Sequence, residues 1–264
     1  MNLKKRPRRS KINQELTTAP PGAVLGRNWL KSKGISIKNA TYYVKSGWLN
    51  RVGRGAFTLK SEKPEWGGAV FALQQEAGTS IHPGGRTALQ LFGQAHFLPI
   101  GEQAPIYLFG RRGERLPAWF KNFPWVGRVR YVMSSFLPPE LGLREQREGP
   151  RQFSLRVSTP ERAILEVLLH TSEASYEEAR LLFEGLGTLR PVLVQTLLEN
   201  CASVKAKRLF LHFGDLLGHA WMKQLDLGKV DLGTGKRLLV RGGRLDPKYL
   251  ITVPKAETVP ADAP

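Results

Sequence analysis

One cysteine in 264 residues, Cys201, excludes an intramolecular disulfide and any zinc finger built on paired cysteines. It falls in the apolar run Val192–Val204, where a lone thiol reads as a small core residue. No apolar stretch approaches the ~20 residues that cross a bilayer, and the first residues lack the apolar centre of a secretory signal. The expectation is a cytoplasmic protein without a membrane partner. His82, His96, His170, His212 and His219 show no HExxH or Cys/His ligand spacing, so neither a metal nor another cofactor is expected. There is no GxSxG elbow, and no paired carboxylates suggest an acid–base couple. Gly233-Thr234-Gly235-Lys236-Arg237 invites comparison with a phosphate loop. It fails the pattern, because position 230 is Val and position 237 is Arg where Gly and Ser/Thr are needed. A tight turn with a basic surface is expected there, and no enzyme.

Acidic residues are nearly missing from the first sixty positions. Lys4, Lys5, Arg6, Arg8, Arg9, Lys11, Arg27, Lys31, Lys33, Lys38, Lys45, Arg51, Arg54 and Lys60 stand against Glu15 alone. Their balance is +13 of the chain's +18. Charge this lopsided attracts a polyanion, whereas evenly spread basicity would mainly serve solubility. A solvated basic tail would account for residues 1–9, but the charge continues into a segment patterned to fold.

That segment reads helix, helix, turn, helix, hairpin. Ser10 can cap a helix through about Thr18, ended by Ala19-Pro20-Pro21-Gly22. A second helix is expected over Val24–Lys33, with Leu25 and Trp29 on one face and Gly34 as its stop. Ser36 suits an N-cap for a third, Ile37–Ser46, whose inward stripe would be Ala40, Tyr43 and Val44. Trp48–Val52 and Ala56–Leu59 read as strands joined by Gly53-Arg54-Gly55. This order is a winged helix-turn-helix. The third helix would then turn Lys38, Asn39, Thr41, Tyr42 and Lys45 outward, residues able to bond base edges and phosphates. Arg27 and Lys31 on the second helix, with Arg51 and Arg54 on the hairpin, complete the expected contacts to double-stranded DNA. The plainer alternative is a small helical subdomain with an ordinary polar face.

Past the expected linker Ser61–Gly67 the composition approaches charge balance. Helices are expected over 69–77, 86–92, 160–170, 175–185, 190–201 and 204–217. Strands are expected over Ala95–Leu98, Pro105–Phe109, Val129–Phe136, Phe153–Val157, Leu238–Val240 and Tyr249–Val253. The fold class is therefore α+β. Its expected parts are a basic arm (1–9), a winged-helix domain (10–61), a mixed α+β domain binding a partner (68–254) and a tail (255–264). Within 204–218, Leu209, Phe213 and Leu216 mark one helical face, and Lys205, Arg208 and His212 another at i, i+3, i+7. The basic face reads either as solvated or as a second contact surface for nucleic acid or an acidic partner protein.

The block GRNWLKSKGISIKNATYYVKSGWLNRVGRGAFTL, Gly26–Leu59, resembles the N-terminal winged-helix domain of AbiEi-type antitoxins, regulators of type IV abortive-infection toxin–antitoxin systems. Ser158-Thr159-Pro160-Glu161-Arg162-Ala163, Lys205–Trp221, Leu232–Arg237 and Lys248–Pro254 are similar to later blocks of that family. Phe57 stands where the family's wing usually has tyrosine. The resemblance implies an operator-binding repressor of its own operon, whose C-terminal domain neutralises a neighbouring nucleotidyltransferase-type toxin. On that basis Lys205, Arg208, His212, Lys236 and Arg237 are the expected toxin contacts. Two other readings remain open: a stand-alone winged-helix transcription factor whose second domain senses a ligand or dimerises, and an enzyme acting on nucleic acid. The oligomeric state is not legible.

Overall fold

The computed structural model describes residues 15–16, 18–75, 78–94, 104–147 and 153–255. The expected first helix (apart from Glu15 and Leu16, which are helical), the strand Ala95–Leu98, the basic arm and nearly all of the tail lie outside them. The chain divides into two compact units that interleave along the sequence. One comprises Met1–Pro83, Ile100–Met133 and Arg144–Val157; the other Gly84–Pro99, Ser134–Leu143 and Ser158–Pro264. The expected linker Ser61–Gly67 lies within the first of these units.

The first unit begins with the winged helix. Helix α1 (Arg27–Ser32) and helix α2 (Ile37–Lys45) are joined by a turn in which Gly34 takes φ +67°, a left-handed conformation strained for other residues. The Ser36 hydroxyl accepts from the Asn39 amide at 3.1 Å, the expected cap. Strands β1 (Leu49–Gly53) and β2 (Ala56–Leu59) pair antiparallel with Leu49 opposite Leu59 and a bulge between Arg51 and Gly53. Val24 and Leu25, expected to be helical, are extended instead. The Leu25 amide donates to the Phe57 carbonyl at 2.7 Å and the reverse bond is 3.1 Å, so Leu25 adds a third strand position to the wing. The core beneath is Leu25, Leu30, Ala40, Leu49, Ala56 and Phe57.

Helix α3 (Trp66–Gln74) is buried on most sides and packs against the same unit. Its Gly68 lies so close to Gly22 that an added Cβ would sit 1.9 Å from the Gly22 carbonyl oxygen. The Gln74 side chain bonds both the amide and the carbonyl of Arg156, at 2.9 Å each, tying α3 to a distant segment. A three-stranded sheet follows, in the order β3 (His82–Pro83), β4 (Ile106–Gly110), β5 (Val129–Met133). β3 runs antiparallel to β4, and β5 runs parallel to it with Ile106 opposite Val129. Between β4 and β5 lies the short helix α5 (Ala118–Lys121), numbered after α4 (Gly85–Leu91) of the second unit. Strands β6 (Leu143–Arg147) and β7 (Ser154–Ser158) pair with each other, and β6 was not anticipated.

The second unit is mainly helical: α4 (Gly85–Leu91), α6 (Pro160–His170), α7 (Tyr176–Glu184), α8 (Pro191–Glu199) and α9 (Val204–Leu216). It closes with a small sheet in which β10 (Ile251–Val253) lies between β8 (Arg237–Leu238), parallel to it, and β9 (Arg244–Asp246), antiparallel. Pro160 at the first turn starts α6, as expected. The Ser158–Ala163 block is polar yet buried because its groups satisfy one another. Glu166 accepts from the Gly85 amide (2.8 Å), the Ser158 hydroxyl and the Arg162 guanidinium (2.8 Å). Arg162 also caps the carbonyls of Pro138 and Leu141. Buried ions are tolerated only in such fully bonded settings. Cys201 is buried, and burial pushes its thiol pKa up, as suits an inert core residue.

Candidate nucleic-acid interface

Helix α2 presents two unlike sides. Ala40 and Tyr43 are buried and Val44 half-buried, while Lys38, Asn39, Tyr42 and Lys45 are exposed. Lys38, Tyr42 and Lys45 recur at i, i+4 and i+7, so they share one face, flanked by Asn39. Tyr42 is 51% exposed, and its ring meets Tyr43 edge-on at 6.0 Å, which holds it upright on the helix. Ile37 and Trp48, which the sequence did not single out, are 36% and 46% exposed at the two ends of this helix.

Thr41 is placed differently from its neighbours. Its hydroxyl donates to the Ile37 carbonyl (2.9 Å) and accepts from the Arg51 guanidinium at 3.2 Å. Arg51 in turn lies 5.5 Å over the Phe57 ring. Thr41 and Arg51 thus brace the wing against α2 at the surface. Arg54 is exposed at the hairpin tip, beside Gly55 at φ +81°. An added Cβ at Gly55 would meet the Arg27 side chain at 3.3 Å, so Arg27 lies against the wing turn. Arg27, Lys31 and Ile37 border an open groove of about 440 Å³ at the start of α2. The sequence-expected residues Arg27, Lys31, Lys38, Asn39, Tyr42, Lys45 and Arg54 are therefore exposed around one helix-turn-helix and its wing. Lys33, which was not among them, is engaged with Glu15 at 3.5 Å and with the Trp29 ring.

The charge imbalance follows the units rather than the expected linker. The unit holding the winged helix has 25 basic and 8 acidic residues, and the other unit 15 and 14. The excess of positive charge therefore belongs to the whole first unit and continues past residue 61.

The expected partner-binding stripe in the second unit is a correction. Arg208 is 1% exposed and donates to the carbonyls of Leu232, Gly233, Gly235 and Leu250 at 2.6–3.1 Å. His212 is buried between Asp246, at 2.6 Å, and the Tyr176 hydroxyl, at 3.1 Å. Burial pushes the Tyr176 phenol up to about 12, so it stays a neutral hydroxyl beside the imidazole. Burial would also raise the Asp246 carboxyl, but bonds from His212 and the Tyr249 and Lys248 amides outweigh it and hold it below the usual range. Lys205 is half-buried, bonds the Thr171 carbonyl at 2.9 Å, and burial lowers its pKa. The physical reason is that Ala206–Gly214 of α9 is buried all round, so the helix has no solvated face there. Of the face marked by Leu209, Phe213 and Leu216, the first two are buried and Leu216, at the end of the helix, is 52% exposed. Lys236 and Arg237 are exposed, as expected, next to Leu238 at 62%.

Among the described residues no cluster of His, Cys, Asp or Glu could hold a metal ion, and no helix is long and apolar enough to cross a membrane. A capped helix-turn-helix, a braced wing and a basic unit define a regulator of the winged-helix class. Residues 103–254 match the family described as transcriptional regulator, AbiEi antitoxin, type IV TA system. Residues 8–100 match the N-terminal domain of the same family. The chain belongs to the AbiEi antitoxin family of transcriptional regulators. The crystal structure of the RV2827C protein from Mycobacterium tuberculosis shares the fold, with a TM-score of 0.59 and 13% identity. That match covers 92% of this chain and 89% of the other. No curated protein matches the chain.

Proposed function

We propose that the protein represses its own toxin–antitoxin operon by binding operator DNA through α2 and the wing, and neutralises a neighbouring nucleotidyltransferase-type toxin. The observation that carries the DNA half is the exposed face of α2, Lys38, Asn39, Tyr42 and Lys45, next to Arg27, Lys31 and Arg54. A recognition helix uses such residues on base edges, while the surrounding cations fix register on the phosphates. The test is binding of the full chain to its own promoter across a salt series. With about six phosphates neutralised, log K should fall against log salt with a slope near −5. No binding at low salt would sink the reading.

The toxin half draws support from family membership and from the nearly balanced charge of the second unit, which suits a protein partner better than a polyanion. Its remaining surface candidates are Lys236, Arg237 and Leu238. Changing all three to Glu should abolish rescue from the co-expressed toxin while leaving promoter binding unchanged. Full rescue by the triple variant would place the toxin contact elsewhere.

A further inference from the structure

The first unit carries a cavity of about 490 Å³ that lies apart from the helix-turn-helix, between α5 and β5. Its walls include Phe120, Trp125, Val129 and Tyr131, and Arg115 and Lys121 border it. The aromatic groups are locked. Phe120 and Trp125 stack tilted at 5.2 Å, and the Trp125 indole donates to the Phe120 carbonyl at 2.7 Å. The Tyr131 hydroxyl donates to the Glu114 carbonyl at 2.9 Å, and burial with the nearby Glu114 charge pushes it up to about 12. Glu114 is itself turned away, holding Ser80 and Thr79. The polar heads on the wall are thus satisfied internally. Arg115 and Lys121 are exposed, and among the described residues neither forms an ion pair.

A ready-made apolar cavity with a few unmatched polar groups is how a small-ligand site is built. Here the unmatched groups are both cations, and Trp125 and Tyr131 add flat rings to a wall completed by Leu116, Val129 and Met133. We propose that this cavity binds a planar aromatic acid, its rings against Trp125 and Tyr131, with the fully buried Phe120 backing Trp125, and its carboxylate or phosphate between Arg115 and Lys121. Rings favour stacked or edge-on aromatic partners, and a charge-assisted bond to Arg or Lys fixes the acid end. Occupancy has a route to the wing. Trp119, on the same short helix as Phe120 and Lys121, packs on the wing strand so tightly that an added Cβ at Gly53 would sit 2.6 Å from its Cβ. A ligand that shifts α5 therefore shifts the wing, and the site acts as an effector pocket for promoter binding. The promoter part of this inference rests on the DNA-binding reading above.

Two probes distinguish the source of the acid: 2-naphthoate supplies a carboxylate, and AMP and GMP supply a phosphate on a flat base. Each is titrated into the full chain by calorimetry. Saturable binding of either probe is expected, weakened at least about tenfold by Arg115→Glu with Lys121→Glu and unaltered by Lys229→Glu on the other unit. Failure of both probes to saturate, or equal binding to the charge-reversed chain, overturns the site. The bound probe should also change promoter affinity at least about threefold in the unmodified chain and not in Trp119→Ala. Probe binding with promoter affinity unchanged overturns the link to the wing. A chain that binds no promoter DNA sinks the DNA-binding reading instead, while the calorimetric result still decides the pocket.

Discussion

Arg208→Ala should destabilise the protein by about 3–5 kcal/mol, seen as a lowered urea midpoint, and this is the largest single-residue loss expected in the second unit. Arg208 is a charge almost wholly withdrawn from water, and its stability depends on the four carbonyls it joins. Three of these lie in the Leu232–Gly235 turn and the fourth, Leu250, just before β10. The Leu250 carbonyl also takes the Arg237 amide at 2.8 Å, so one guanidinium sets both the turn and the start of the closing sheet. Hydrogen bonds to a charged donor contribute about 1.5–3 kcal/mol each, and truncation adds a cavity beside α9. Arg208→Lys should recover only part of the loss, because one ammonium cannot reach four acceptors arranged around a planar fork. A loss below about 1 kcal/mol would show that the turn holds itself. The structural role also separates from a contact role. Toxin rescue by Arg208→Ala should fall only as far as the folded protein does, whereas a contact residue would lose rescue at full abundance.

The same residue shows what the sequence could and could not reveal. Spacing placed Lys205, Arg208 and His212 on one helical face correctly, but periodicity reports direction around a helix and not what lies in that direction. The signal pointing inward was the Leu232–Gly235 turn itself. Gly233 and Gly235 bear no side chains, and the turn's carbonyls needed a donor from elsewhere in the chain. Ser36, Gly34 and the Ala56–Leu59 strand were legible because capping and left-handed turns are decided within a few residues. Leu25 was not, because a bridge to Phe57 is a contact across 32 positions and its apolar neighbours suit a helix equally well. The interleaved units were hidden for a related reason. Gln74 meets Arg156, and no local pattern announces that segments so far apart share a core. The aromatic cavity borders a stretch, Pro117–Trp125, to which the sequence pattern assigned no element, and its order rests on contacts such as the Trp125 indole bond to the Phe120 carbonyl.

Within the helix-turn-helix the structure separates residues that can read from residues that brace, and the difference is measurable. Asn39→Ala and Tyr42→Ala should each cost about 1–3 kcal/mol on the specific operator and little on random DNA. Both side chains are exposed on the outer side of α2, Asn39 in its capped first turn, the end a recognition helix inserts into the major groove, and Tyr42 one turn further on. Arg54→Ala should weaken both DNAs about equally and make the salt slope shallower by about one, as loss of a single phosphate contact would. Thr41→Val supplies the contrast. Its hydroxyl is already used by the Ile37 carbonyl and Arg51, so its loss should loosen the wing and lower affinity for both DNAs rather than change which base is preferred. Binding is measured on operator and scrambled duplexes at one salt concentration, then across a series. If Asn39 and Tyr42 lose equally on both duplexes, α2 grips without reading. Sequence preference must then come from the wing or from the shape of the DNA.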